Sequence, residues 1–337
     1  MKGSEDNYPI DFVITWVDGS DPQWIKERNQ YCEKSENESN GESRYRDMGL
    51  LKYWFRSVEK FTPWVRNIFF VTQGHVPSWL KLDHPKLTVV KHSDFIPDKY
   101  LPTFNSNAIE MNLNRIEGLS ERFVYFNDDV FPIRTLNREA FFKKGLARDM
   151  FIQSLLTPEA NDWIISSIQF NDLALTNKYF SKLAFLKKYP GKYLSFTYGK
   201  YFLRNLYLLP VLKLTGFRSH HSAMSFNKKT FEDLWNLEPE KLDQTCCTKF
   251  RSAQDVNPYL MCQYQVMKGE FIPLNPGKRP YFLIGRDNEQ IKKTICGQKA
   301  DIVCLNDTLT DIDFEKEKEF LSECFEHILP EKSSFEM

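Results

Sequence analysis

The sequence predicts an α/β fold, built on a Rossmann-like, largely parallel sheet with helices on both faces. Three observations carry this. Short β-rich apolar runs alternate with stretches of helical spacing. The runs are bounded by turn formers such as Asp18-Gly19 and Gln73-Gly74. Three polar clusters, DGSD, TQGH and NDD, follow strand-like runs directly, and open α/β sheets hold their ligands beyond the carboxyl ends of the strands.

Taken in order, residues 11–17 (DFVITWV) read as a buried strand, short and rich in β-branched and aromatic residues. Residues 35–43 (SENESNGES) are polar and low in complexity and read as a mobile loop. Residues 50–61 place Leu50, Leu51, Trp54, Phe55 and Val58 at helical spacing, with Pro63 just beyond their end. Residues 67–72 (NIFFVT) and 87–91 (LTVVK) supply the second and third strands. Residues 107–117 read as a helix stopped by Gly118, and 122–126 as the fourth strand. On this reading residues 1–150 form an α/β ligand- and metal-binding region. Residues 151–215 form a basic, aromatic-rich, mainly helical insertion, and 216–337 a C-terminal part that completes the site.

The chain has 337 residues with 45 basic and 45 acidic side chains. That length suits one large or two ordinary domains, and the neutral balance argues against a general nucleic-acid binder. Aromatic residues make up 15%, enough both for core and for walls that stack on sugars. The seven cysteines are odd in number and form neither a C-x-x-C pair nor a zinc pattern, so reduced thiols in a cytoplasm are expected. The opening MKGSEDNYPIDF is polar, unlike a signal peptide. The longest apolar candidate, residues 206–214, is short and broken by Pro210 and Lys213, against the roughly 20 residues a bilayer span needs. A soluble chain is expected. Between Asp172 and Glu232 there is no acidic residue, while nine lysines and two arginines fall there among Tyr, Phe and Leu. A solvated basic face is the ordinary reading; the functional one is a surface for an anionic polymer or membrane.

The chemistry centres on RFVYFNDDVFP, residues 122–132, where an apolar strand runs into two adjacent carboxylates, Asp128 and Asp129. Unpaired buried carboxylates repel and are costly, and a hard divalent cation would compensate them. In an extended chain the two side chains point to opposite faces, so either the backbone bends or only one reaches a cation. A turn with capping aspartates is the plain alternative. Trp16, Asp18, Gly19 and Asp21 lie in WVDGSDP at another strand end. FRSHHSAMSF brings Arg218, His220 and His221, and FRSAQDVNPYL brings Arg251, Asp255 and Asn257. Carboxylates for a metal, arginine for phosphate and histidine for proton transfer are the parts of phosphoryl transfer. His221, adjacent to His220, reads as structural, and His75, His84, His92 and His327 are given no role. No G-x-S-x-G, Walker loop or G-x-G-x-x-G is present.

These segments resemble the Stealth family of sugar-1-phosphate transferases, which includes bacterial capsular polysaccharide phosphotransferases and the N-acetylglucosamine-1-phosphotransferase that tags lysosomal enzymes. The resemblance runs through IDFVITWVDGSDP and a long second block from Arg44 to Pro132, RYRDMGLLKYWFRSVEKFTPWVRNIFFVTQGHVPSWL through SNAIEMNLNRIEGLSERFVYFNDDVFP. It continues in FRSHHSAMSFNKKTFEDLW and FRSAQDVNPYL. The compact chain, without the inserted domains of the lysosomal-tagging enzyme, favours the bacterial capsule branch.

The resemblance implies a GT-A-like sheet that binds a nucleotide sugar, commonly UDP-linked, with Mg2+ or Mn2+. An acceptor hydroxyl attacks the phosphorus bearing the sugar, a nucleoside monophosphate leaves, and a phosphodiester forms in a capsular or other cell-surface polysaccharide. The expected catalytic residues are Asp21, His220, Arg251 and Asp255, and the expected metal ligands Asp128 and Asp129. Substrate contacts are expected from Trp16, Asp18, Gly19, Arg44, Arg46, Gln73, Asn105, Glu110, Arg115, Arg218 and Asn257. The implied acceptor is an oligo- or polysaccharide, with or without a lipid anchor, handled in the cytoplasm or at the inner face of the membrane alongside capsule assembly. Two rivals are a GT-A-type glycosyltransferase, which would release UDP, and a non-catalytic carbohydrate-binding module.

Overall fold

The computed structural model describes residues 8–31, 47–218, 221–307 and 313–337. In chain order its strands are β1 (Ile10–Thr15), β2 (Ile68–Thr72), β3 (Leu87–Lys91), β4 (Arg122–Phe126), β5 (Val130–Pro132) and β6 (Phe142–Lys143). Then come β7 (Leu146–Asp149), β8 (Met224–Asn227), β9 (Phe271–Pro273), β10 (Tyr281–Leu283) and β11 (Ile302–Asn306). The central sheet has the order β3-β2-β1-β4-β8. β1 to β4 are parallel, in the order expected of a Rossmann-like half, and β8 closes one edge antiparallel to β4. The four strands read from sequence are all present. The loop expected at 35–43, with Arg44, Arg46 and His220, lies outside the described residues.

Side chains alternate across this sheet with the period of two that strands impose. Phe12, Ile14, Ile68, Phe70, Val124 and Phe126 enter one core, covered by the helices Leu51–Phe61 and Phe314–Ile328. Val13, Phe69, Val71, Phe123 and Tyr125 enter the other, covered by Ser106–Met111 and by the helices Lys228–Leu237, Pro239–Cys247 and Tyr259–Lys268. Both faces are therefore helical, as the sequence predicts. Trp54, fully buried on the first face, meets Phe126 edge to face at 5.5 Å; truncating such a residue to alanine costs about 3–5 kcal/mol.

The helix expected over 107–117 is shorter. It spans Ser106–Met111 and tightens into a 3-10 turn, Leu113–Arg115. Asn112 is the cause: its side chain donates to the Ala108 carbonyl at 2.8 Å, competing with the helical ladder, and its own N–H turns to Ile109 O at 3.1 Å.

Two small sheets join distant segments to this frame. β10-β11-β5 ties the C-terminal part to the strand after NDD, and β6-β7-β9 ties 142–149 to 271–273. Residues 151–215 contribute no strand to a sheet. The helices Trp163–Tyr179 and Lys182–Lys188 bring Leu173 and Phe185 to Phe151, Tyr193 and Leu214. The helix Tyr201–Tyr207 is tied on by Asn205, whose Nδ2 donates to the Phe151 and Tyr193 carbonyls at 2.7 Å each. Among the described residues no helix is long and apolar enough to cross a membrane.

Candidate active site

The chain bends at the doubled carboxylate. After β4, Asn127 to Val130 form a turn in which the Val130 N–H donates to the Asn127 carbonyl at 3.2 Å, a conformation that Asn and Asp favour. β11 fixes the turn from outside: Cys304 pairs with Val130, and the Leu305 N–H donates to the Asp129 carbonyl at 2.9 Å. β8 is antiparallel to β4 with Met224 opposite Tyr125, so His221, three residues earlier, runs past the same strand end.

The central contact follows from this topology. His221 Nε2 donates to Asp129 Oδ2 at 3.1 Å, and Cys304 Sγ donates to the same oxygen at 3.4 Å. The other imidazole nitrogen, Nδ1, lies 3.4 Å from the Tyr259 hydroxyl. Asp129 Oδ1 is buried with no hydrogen-bond partner within 3.5 Å among the described residues, although the Asn306 side chain also helps to hold the carboxyl down. Burial works to raise the Asp129 carboxyl, but the His221 charge and hydrogen bond hold it below its ordinary value. Burial likewise works to lower His221, and the Asp129 charge overcomes it and raises it. Asp128 is pushed up to about 7, by removal from bulk water and by the Asp129 charge. Its side chain is nevertheless solvent-exposed, so the neighbouring charge is the firmer cause. Two adjacent carboxyl groups thus titrate apart.

Beneath this pair runs a buried chain of hydroxyls. Tyr125 donates to Glu110 Oε1 at 2.8 Å, and Thr15 Oγ1 lies 2.9 Å from the Tyr125 hydroxyl. Burial pushes Glu110 up to about 7, against the opposing charges of Arg251 and His221, so all three share one field. Arg251 donates to Ser106 Oγ at 2.6 Å through Nη2.

Asp255 corrects an expectation. It is fully buried and accepts five hydrogen bonds. Asn105 Nδ2 (2.8 Å), Asn107 Nδ2 (3.2 Å) and the Ser252 N–H (3.1 Å) reach Oδ2. Ser252 Oγ (3.0 Å) and Thr248 Oγ1 (3.1 Å) reach Oδ1. A carboxylate so saturated cannot face substrate; it shapes the loop that carries Arg251. Asn105 belongs to the same clamp, also capping its helix by accepting from the Asn107 N–H at 3.0 Å.

The other expected residues make the following contacts. Gln73 bridges Trp24 and Glu27. Arg115 bonds Asn112 at 2.9 Å and lies 5.1 Å over the Trp235 ring. Asp21 caps the helix Pro22–Tyr31, its Oδ1 accepting from the Trp24 N–H at 2.7 Å. Trp16 is buried, stacked on Phe70 at 5.8 Å. Asp18 holds the exposed Ser20, beside the half-buried Gly19. Asn257 sits at the start of the Tyr259–Lys268 helix, accepting from the Tyr259 N–H at 2.9 Å, and Arg218 stacks on Tyr201 at 4.5 Å.

Four residues in the site were not singled out, or were set aside, in the sequence. His221 was read as structural. His75 accepts from the Asp18 N–H at 2.8 Å and so fixes the β1 exit. Tyr259 lies in FRSAQDVNPYL, beside the residues singled out there, whereas Cys304 comes from a segment with no motif signal; only the strand pairing brings Cys304 to Asp129.

The donors present suit a hard divalent cation. Asp128 is exposed, and Asp129 keeps one carboxylate oxygen unpartnered. Asp129, His221 and Cys304 also offer three donor atoms within 4.8 Å of one another, a mixed O, N and S set that Mg2+ would not select. Here those atoms are taken up by the mutual hydrogen bonds.

The family models for Stealth protein conserved regions 1 and 2 match residues 8–36 and 44–150. The capsular polysaccharide phosphotransferase WcwK of Streptococcus pneumoniae is 43% identical over 97% of this chain and 98% of that protein. The exopolysaccharide phosphotransferase cps2G of Lactiplantibacillus plantarum is 36% identical, over 98% of this chain and 96% of that protein. Among solved structures, the galactosyltransferase LgtC with donor and acceptor sugar analogs covers 93% of this chain and 95% of its own, at 10% identity and a TM-score of 0.41. That likeness is too slight to carry an argument, and the fold assignment rests on the strand order above.

Proposed function

The chain belongs to the Stealth family, and we propose that it moves a sugar-1-phosphate from a nucleotide sugar, read as UDP-linked, to a hydroxyl of a cell-surface polysaccharide. The observation that carries this is the Asp129–His221 contact at the end of β4, beside Asp128, Glu110 and Arg251. Asp129 holds His221 Nε2–H, which leaves Nδ1 as the lone pair that takes the acceptor proton. As that proton leaves, the acceptor oxygen forms its bond to phosphorus and the bond from phosphorus to the nucleoside monophosphate breaks. Arg251 balances phosphate charge, and the Asp255 clamp positions it. Asp128 and the free oxygen of Asp129 would hold Mg2+ or Mn2+, which supplies charge neutralisation at the donor diphosphate. Asp21, Gln73 and His75 keep the β1 exit and its helix in place.

Incubation with a panel of UDP-sugars, Mg2+ and an oligosaccharide acceptor tests the reading. Release of UMP supports it. Release of UDP would make the protein an ordinary glycosyltransferase, and release of neither a binding module.

For the place of reaction we infer an anionic bilayer surface, met by the 151–215 insertion. Phe196 and Tyr207 are 82% and 84% exposed, with Leu203 and Leu212 at 65% and 63%, and Lys187, Lys188, Lys200, Arg204 and Lys213 of the same segment are exposed too. Cations alone would suit a polyanionic polysaccharide; aromatic and leucine side chains bared beside them favour a lipid interface. Tyr201, at the start of that helix, touches Arg218, so the surface adjoins the acceptor side of the site.

A further inference from the structure

Beyond His221 lies a second enclosure, of about 70 Å³, room for several waters at roughly 10–15 Å³ each. Arg148, Arg218, Arg279, Asp149, Asp172 and Tyr259 are among its walls. Tyr259 is also the residue 3.4 Å from His221 Nδ1, so the imidazole has the strand-end carboxylates on one side and this enclosure on the other.

The Nε atoms of Arg148, Arg218 and Arg279 are buried without a hydrogen bond among the described residues, as are Asp172 Oδ2 and Ser225 Oγ. None of the three guanidiniums makes an ion pair within 4.0 Å among the described residues. Arg279 is only 3% exposed and is fixed by donating to the carbonyls of Ala223 (2.9 Å) and Ala140 (2.8 Å). Carbonyls orient a guanidinium without cancelling its charge. Among the lining residues three guanidiniums face two carboxyl groups, while Asp301 acts on Arg279 and Glu139 on Arg148 without making a contact ion pair with either. Burial reduces that opposition, pushing Asp149 up to about 7 and Asp172 well above the carboxylate range. Arg279 is buried and Arg148 and Arg218 half-buried. A desolvated cation short of a contact ion pair is costly, and planar guanidinium forks match phosphate oxygens.

We propose that this enclosure is an acceptor subsite for a phosphate oxyanion, so that the enzyme selects acceptor saccharides already carrying a phosphate group near the accepting hydroxyl. The proposal rests on the phosphotransferase reading above. It adds that the acceptor is anionic and that Arg148, Arg218 and Arg279 recognise the charge. Two sources share this chemistry, a phosphodiester made in an earlier transfer and the phosphate of a lipid carrier.

The test is calorimetric titration of the full chain, its donor site saturated with UDP and Mg2+, with a glycosyl phosphodiester and separately with a short-chain prenyl diphosphate. Binding of either probe, weakened at least tenfold in both Arg148→Gln and Arg218→Gln, supports the subsite, and the tighter probe identifies the source. Binding of neither probe, or binding indifferent to both substitutions, overturns it. UDP affinity and the unfolding midpoint of each variant report folding, and Arg218→Lys, which keeps the charge but loses the fork, should fall between parent and Gln. UMP release by the parent is scored separately: its absence would sink the phosphotransferase reading, while Arg-dependent binding of the probe would still stand.

Discussion

His221 Nε2 and Asp129 Oδ2 lie 3.1 Å apart although 92 residues separate them in the chain. The antiparallel pairing of β8 with β4 makes this contact. It fixes the imidazole tautomer and raises its proton affinity. His221→Gln should lower turnover by about 10²–10⁴-fold, the usual worth of a positioned general base, without a comparable loss of UDP binding. Asp129→Asn should cost at least as much, and the double variant little more than the worse single one, since the two act as a unit. Turnover within threefold of the parent for His221→Gln would remove His221 from the chemistry.

Asp255 and Arg251 should separate stability from catalysis. Asp255→Ala leaves five donors without their acceptor, and a buried network broken in this way costs about 3–5 kcal/mol. Its unfolding midpoint should therefore drop sharply. Arg251→Lys should melt near the parent but lose turnover, because an ammonium does not reproduce the guanidinium fork on phosphate. Denaturant titration beside UMP release decides this, and an Asp255→Ala protein of parental stability would contradict the clamp.

Glu110 gives a pH signature. It is 7% exposed, and its carboxyl moves from an ordinary 4.5 to about 7 on folding. Between those values the folded state binds the extra proton, so stability falls as pH rises through the window. Glu110→Gln keeps an acceptor for Tyr125 and removes the titration. The two proteins should match at pH 4 and diverge as pH rises, the variant becoming more stable by up to about 3 kcal/mol above pH 7. Parallel stability profiles from pH 4 to 8 would show that Glu110 is not desolvated as described.

The sequence made the four parallel strands legible because each is short, β-rich and ended by a turn former. The small strands β5 and β10, of three residues each, are too short to show a period, so the sheet that brings Cys304 to Asp129 was invisible. The doubled carboxylate was legible as chemistry, but its backbone was not: the turn at Asn127 is decided by β11, which arrives 175 residues later. The choice between the adjacent His220 and His221 is not legible in the sequence: His220 lies outside the described residues, and His221 reaches Asp129 because β8 runs antiparallel to β4. Asp255 illustrates the opposite error. A carboxylate in a polar motif reads as reactive until its donors, Asn105 and Asn107 from another segment, are seen to fill it.

The insertion surface supports a last prediction. Of the lysines in the acid-free segment, several have internal duties. Lys192 donates to the carbonyls of Gly269 and Phe271 at 2.6 Å each, and Lys182 is buried against those of Leu208 and Val211. Lys187, Lys188, Lys200, Arg204 and Lys213 remain exposed, as do Phe196, Leu203, Tyr207 and Leu212 of the same segment. Flotation should find the chain bound to vesicles containing phosphatidylglycerol and largely free of neutral ones. Replacing Lys187, Lys188 and Lys200 with Gln should weaken that binding by roughly 10²-fold, at about 1 kcal/mol per cation near an anionic surface. Added salt should weaken it too, the Debye length being about 8 Å at physiological strength. The membrane and polysaccharide readings share this salt dependence and part on the apolar residues. Phe196→Ser with Tyr207→Ser should release the protein from vesicles while leaving capture by an anionic polysaccharide unchanged, and Lys192→Gln should lower the unfolding midpoint instead. Vesicle binding indifferent to the serine pair, with polysaccharide capture lost on lysine removal, would assign the surface to the polymer.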